Sequence, residues 1–163
     1  MVPGASTLVP KAYGYKTTDT LAAVLGAGYF NSQVNDTRLQ EGDTIYLVYD
    51  TDGTPGSVNL HVIDITTAGA VVVAAEYLDG SKALDAGSIA KGNEETTEVT
   101  VTGAVLGDFA IASLSIDVED LMLAASVTAA NTVTAQLLNN TSGAVDLASA
   151  TVRVRVYPLR VWP

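Results

Sequence analysis

A chain of 163 residues, 48% hydrophobic, is long enough for one domain or for two small modules of about 80 residues each. Its 18 acidic and 8 basic residues leave a net charge of −10, which is repelled by nucleic-acid backbones, and no Lys/Arg cluster offsets that repulsion. The lack of cysteine excludes disulfides and thiolate zinc sites, and no apolar run approaches the roughly 18 residues that a membrane helix needs.

Val, Ala, Leu and Ile dominate the apolar set, with two Phe and one Trp. Many Val and Thr residues and few long charged side chains favour strands over helices. The expected class is all-β: a smaller β-rich N-terminal module with one short helix, then an antiparallel β-sandwich of jelly-roll or Greek-key type. The expected boundaries are an extended N-terminal arm at 1–16, the first module at 17–80 and the sandwich at 81–163.

Residues 1–16 carry Pro3, Gly4, Pro10 and Gly14, which read as an arm without a core of its own. The opening ten residues lack a basic stretch followed by a long apolar run, so no secretory leader is expected. Val9, Pro10, Tyr13 and Tyr15 are the candidate partner contacts of the arm. Thr17–Gly26 is the best helix candidate, with Thr18 or Asp19 as its cap, Leu21, Val24 and Leu25 on one face, and Gly26 or Gly28 at its end.

From Glu41 the period changes. Residues 43–49, 58–65 and 70–78 read as strands, with Asp52-Gly53 as a tight turn between the first two. Residues 79–93, rich in Gly, Asp and Ser, read as the boundary between modules. Beyond it the alternation is cleaner. Val99 and Val101, then Val133, Ala135 and Leu137, then Val152, Val154 and Val156 fall on one face of their strands. Ala110, Ala112 and Leu114 alternate as well, but Ile111 breaks the phase and suggests a bulge or a strand buried on both sides.

Catalytic signals are weak. His61 is the single histidine and reads as a sheet residue, and no Gly-x-Ser-x-Gly elbow accompanies it. Asp50-Thr-Asp-Gly53 opens like a calcium loop, but His61 stands where the closing glutamate belongs. Asp117-Val-Glu-Asp120 reads as a solvated turn. Gly26-Ala-Gly28 lacks both a preceding strand and a following Lys-Ser/Thr. Three glycosylation sequons begin at Asn35, Asn139 and Asn140, and they carry no meaning without secretion. No catalytic residue, cofactor or metal is therefore expected. Arg153 and Arg155 share a strand face, and Arg160 and Trp162 follow them as candidate partner contacts.

Thr96–Phe109, with its Thr102-Gly103 and Leu106-Gly107-Asp108, resembles a small β module of phage and prophage structural proteins. So do Val127–Thr134, with Ala129-Ala130-Asn131-Thr132-Val133, and Asn139–Ser149, with Val145-Asp146-Leu147-Ala148. In that module these segments precede a strand like Val152–Val156, and the match covers about residues 88–157. Asp19–Asn31 followed by Gly42–Val48 is similar to a companion module of phage head and tail proteins. The resemblance implies a non-enzymatic head decoration (cement) protein. Its expected partners are the phage major capsid protein and itself, as a homotrimer, and neither nucleic acid nor membrane. Its expected place is the capsid surface of the virion, after synthesis in the host bacterial cytoplasm. The alternative is a receptor- or glycan-binding module of a tail or head fibre.

Overall fold

The computed structural model describes residues 10–31 and 39–159, and the chain folds as two compact units, residues 1–76 and 77–163. The protein is mostly β with one short helix, and its sheets are antiparallel apart from one strand pair.

The first unit is a four-stranded sheet in sequence order: β1 (Ala12–Lys16), β2 (Thr44–Tyr49), β3 (Gly56–Ile65) and β4 (Val71–Ala75). Alternation along β2 and β3 buries Ile45, Leu47, Val58, Leu60 and Val62, and β4 adds Val71, Val73 and Ala75. β1 corrects the expectation of an arm that reaches Lys16: residues 12–16 run parallel to β2, pairing Ala12 with Thr44 through Lys16 with Val48. The cause is Asp43, fully buried, whose carboxylate accepts the backbone N–H groups of Lys11 at 2.8 Å and Gln40 at 2.9 Å. Those two bonds satisfy a charge that would be costly to bury unpaired, and they fix the chain where it enters β1.

The helix, α1, is shorter than expected, spanning Leu21–Val24, and Thr20 rather than Thr18 or Asp19 caps it through its hydroxyl and the Ala23 N–H. Of its apolar residues, only Val24 is fully buried. Gly28, at φ +86°, donates to the Val71 carbonyl, and Asn31 Oδ1 accepts the Val71 N–H, so the residues after α1 cap the start of β4.

The second unit begins where the sequence suggested a linker. Residues 78–84 form β5, which pairs with β12 (Ala150–Tyr157) from Leu78–Val156 to Leu84–Ala150. The remaining strands are β6 (Ser88–Ile89), β7 (Glu94–Thr100), β8 (Phe109–Leu114), β9 (Met122–Ala129), β10 (Thr132–Leu138) and β11 (Val145–Asp146). They form two three-stranded sheets, β7-β10-β9 and β5-β12-β8, and a β11-β6 ribbon. Val99, Val133, Ala135 and Leu137 of one sheet and Leu78, Val152, Val154 and Val156 of the other are buried, as their period-2 pattern requires. The sheets approach closely at Gly80, where a Cβ would lie 2.5 Å from the Thr100 carbonyl oxygen. Only a residue without a side chain fits there.

At the ribbon end of this unit Ile89, Leu121, Leu137 and Leu147 form a closed cluster, with Leu114 and Leu123 packed against it. Asn139, fully buried, organises the loop above. Its amide nitrogen donates to the carbonyls of Ile89 (2.7 Å) and Gly143 (2.9 Å), and its Oδ1 accepts from the N–H and hydroxyl of Thr141. All four bonding positions of the amide are used.

Candidate docking surface

At the opposite end of the second unit two tight turns follow β7. Val101–Ala104 and Val105–Asp108 each close with an i to i+3 backbone hydrogen bond, and Gly103 (φ +92°) and Gly107 (φ +97°) take the third position. Positive φ there is the type II pattern, which favours glycine. The second turn places Leu106 at its tip, 70% exposed.

The turns are tied down from two directions. Asn131, left-handed at φ +61° in the β9–β10 connection, donates its N–H to the Ala104 carbonyl. It accepts from Val101 N–H on its carbonyl and from Gly103 N–H on Oδ1. Asp108 is buried, and its two carboxylate oxygens accept the N–H groups of Val105 (3.0 Å) and Leu159 (2.9 Å). This carboxylate therefore joins the turn to the end of β12 across 51 residues.

Around Asp108 stand Val105, Leu106, Phe109 and Leu159, between 45% and 70% exposed, and Ile111 continues the face along β8. The expected bulge at Ile111 is absent. β8 pairs with β12 in unbroken register, and Phe109 and Ile111 share its outer face with Ser113 while Ala110, Ala112 and Leu114 turn inward, half-buried. The break in phase marks apolar residues on the solvent side. Segments 99–109, 128–134 and 156–159, which meet at this end, hold a single charged residue, the buried Asp108, in a chain with 26 charges (18 acidic and 8 basic).

The other candidates fall elsewhere. Arg155 makes a two-pronged contact with Asp79 (2.7 and 2.9 Å) and lies 4.0 Å over the Tyr77 ring, so it is paired across strands; the Asp79 carboxylate raises its pKa further. Arg153 is exposed between Ser81 and Ser113. Tyr13 and Tyr15 share the face of β1 that pairs with Ile45 and Leu47, and both are half-buried. Tyr15 packs edge-on against Tyr29 and Phe30, with centroids 6.2 and 5.2 Å away, and is a packing residue of its unit. Pro10 is exposed. Val9, Arg160, Trp162 and the sequon at Asn35 lie outside the described residues.

In the first unit the Tyr29 hydroxyl donates to Asp19 Oδ2 at 2.5 Å, and Thr17 donates to the same oxygen at 3.0 Å. The Tyr29 bond, then that of Thr17, lowers the Asp19 pKa; burial and then Asp19 raise that of Tyr29. This is a latch between the start of α1 and the segment after it. His61, on β3, has its Nδ1 3.5 Å from the Thr44 hydroxyl. In the β2–β3 loop the left-handed residue is Asp50 (φ +52°), whose carboxylate accepts the Thr54 N–H. Asp117 accepts the Glu119 N–H, and Glu119 and Asp120, both left-handed, form the turn. Among the described residues no group of three or more His, Asp or Glu side chains could hold a metal ion. A shallow depression of about 380 Å³ on the outer face of β7-β10-β9 is lined by Thr96, Ala124, Ala125, Ser126, Thr134 and Gln136, without an aromatic or charged side chain.

No family model matches the chain, and no curated protein matches it.

Proposed function

We propose that this chain is a non-enzymatic decoration protein of a bacteriophage head. It would be made in the host cytoplasm and bind the outer surface of the assembled shell as three copies about a symmetry axis. The observation that carries the reading is the uncharged apolar end of the second unit, with Leu106 and Phe109 held outward on a strongly acidic protein. Such patches mark contacts with other proteins. The turn that displays them is the Leu106-Gly107-Asp108 segment on which the resemblance to phage structural modules rests.

Stabilisation then follows from mass action. A protein that binds the assembled shell and not its free subunits raises the free energy of disassembly with every copy bound, and no covalent chemistry is needed. In this reading the part of the expected 1–16 arm that precedes β1, Val9 and Pro10 included, makes the shell contact. Co-sedimentation with heads and with free subunits of the cognate major capsid protein tests the proposal. Binding to heads alone, with a higher temperature of shell disruption, is the expected result. Equal binding to free subunits, or none to heads, would contradict it.

One observation favours glycan binding as a second reading. Tyr46 is 54% exposed on the outer face of the first sheet, between Gly14 and Asn59, and Glu76 accepts from the Asn59 amide. Saturable binding to a glycan array that Tyr46→Ala abolishes would replace the decoration reading with this one.

A further inference from the structure

We infer that the end of the second unit built around Asp108 is the surface through which copies of this chain join one another. The occupant of the patch is the equivalent patch of a sister copy. The inference names the contact behind the assembly proposed above, and it rests on that reading only for the number of copies.

Two copies that each carry −10 repel one another over most of their surfaces, most strongly at low salt. Approach through segments 99–109, 128–134 and 156–159 brings no exposed charge of either copy into the contact. The nearest charged residues along the strands are Glu98 on β7 and Arg155, the register partner of Ile111, which meets the edge of the contact already paired with Asp79.

Val105, Leu106, Phe109, Ile111 and Leu159 together present on the order of 500 Å² of apolar surface, in the upper part of the range that monomers leave in one patch. Two such faces cover about 1,000 Å², where specific interfaces begin. The surface is also preorganised. Gly107 fixes the turn, Asp108 ties it to Leu159, and Asn131 ties the preceding turn, 101–104, to the β9–β10 connection, so little loop ordering remains for association to overcome. An exposed aromatic, Phe109, in a patch otherwise made of aliphatic side chains is the composition of an interface core.

The test is the mass of the full chain by light scattering after size exclusion, at low and moderate salt, for the wild type, Leu106→Asp, Phe109→Lys and Glu98→Lys. Leu106 sits at a turn tip, so its variant keeps the fold even where Phe109→Lys does not, and a thermal melt checks both. The expected result is three times the chain mass for the wild type and for Glu98→Lys, and one chain mass for Leu106→Asp. A monomeric wild type, or an assembly that survives Leu106→Asp, would overturn the inference, whereas a dimer that Leu106→Asp dissociates would uphold the surface and overturn only the number of copies. A monomer whose binding to heads is lost in Leu106→Asp would overturn it too, and would assign the patch to the shell. Assembly without head binding would leave the inference standing and sink the decoration reading instead.

Discussion

The two ends of the second unit are each organised by one buried polar side chain, and they put the same kind of residue to opposite uses. At the ribbon end Asn139 holds a loop down over Ile89, Leu121, Leu137 and Leu147, all of them buried. At the other end Asp108 holds a turn so that Val105, Leu106, Phe109 and Leu159 face outward. Both hubs satisfy backbone groups that the sheets leave unpaired, and both link segments about 50 residues apart. The difference lies in where the apolar side chains point. A hub over a closed cluster serves folding, whereas a hub beneath displayed apolar groups gives up burial that the monomer could have had. That loss is what a binding surface requires.

The largest effect is expected at the closed end. Asn139→Ala removes a fully buried amide and takes its bonds from the Ile89 carbonyl and the Thr141 N–H, while the Thr141 hydroxyl still reaches the Gly143 carbonyl at 3.0 Å. Chemical denaturation should show a loss of about 3 kcal/mol. Its assembly state, measured below the unfolding transition, should match that of the wild type. Asp108→Ala likewise strands two backbone groups, the N–H of Val105 and that of Leu159, but at a site that retains some exposure where Asn139 has none. A smaller loss of about 2 kcal/mol is expected from the same measurement, accompanied by dissociation, because the displayed turn loosens. If the two substitutions affected assembly alike, the comparison between the ends would fail.

The acidic turn after β8 sharpens the contrast from another side. Glu119 and Asp120 both adopt left-handed backbone, at φ +49° and +67°, which side-chain-bearing residues resist. Replacing the pair with Asn-Gly should raise the unfolding free energy by about 1 kcal/mol and leave assembly unchanged, since the turn borders the closed end. The smallest effect on folding belongs to Leu106→Ser. A side chain 70% exposed has little burial to lose, so the unfolding free energy should stay within about 0.5 kcal/mol while assembly weakens.

Much of the second unit was legible in its sequence. Val99, Val101, Val133 and Val152–Val156 alternate because each strand has one buried face, and a period of two records that directly. The same rule misled at β8. A strand with apolar residues on both faces reads as doubly buried, but Phe109 and Ile111 are exposed, so the irregular pattern was itself the trace of the candidate surface. Residues 12–16 read as an arm because their place in the sheet depends on Asp43, 32 residues from Lys11. β5 read as linker because Gly80, needed for close approach to Thr100, looks like a loop residue. The hubs Asp108 and Asn139 were not legible, since their distant partners are set by topology and leave no local pattern.

Hydrogen exchange of the full chain, compared between dilute and concentrated protein, tests the central claim most directly. The account predicts that concentration slows exchange in residues 103–111 and 129–132 and leaves residues 88–93 and 139–147 unchanged. Equal protection at both ends, or none at either, would contradict it.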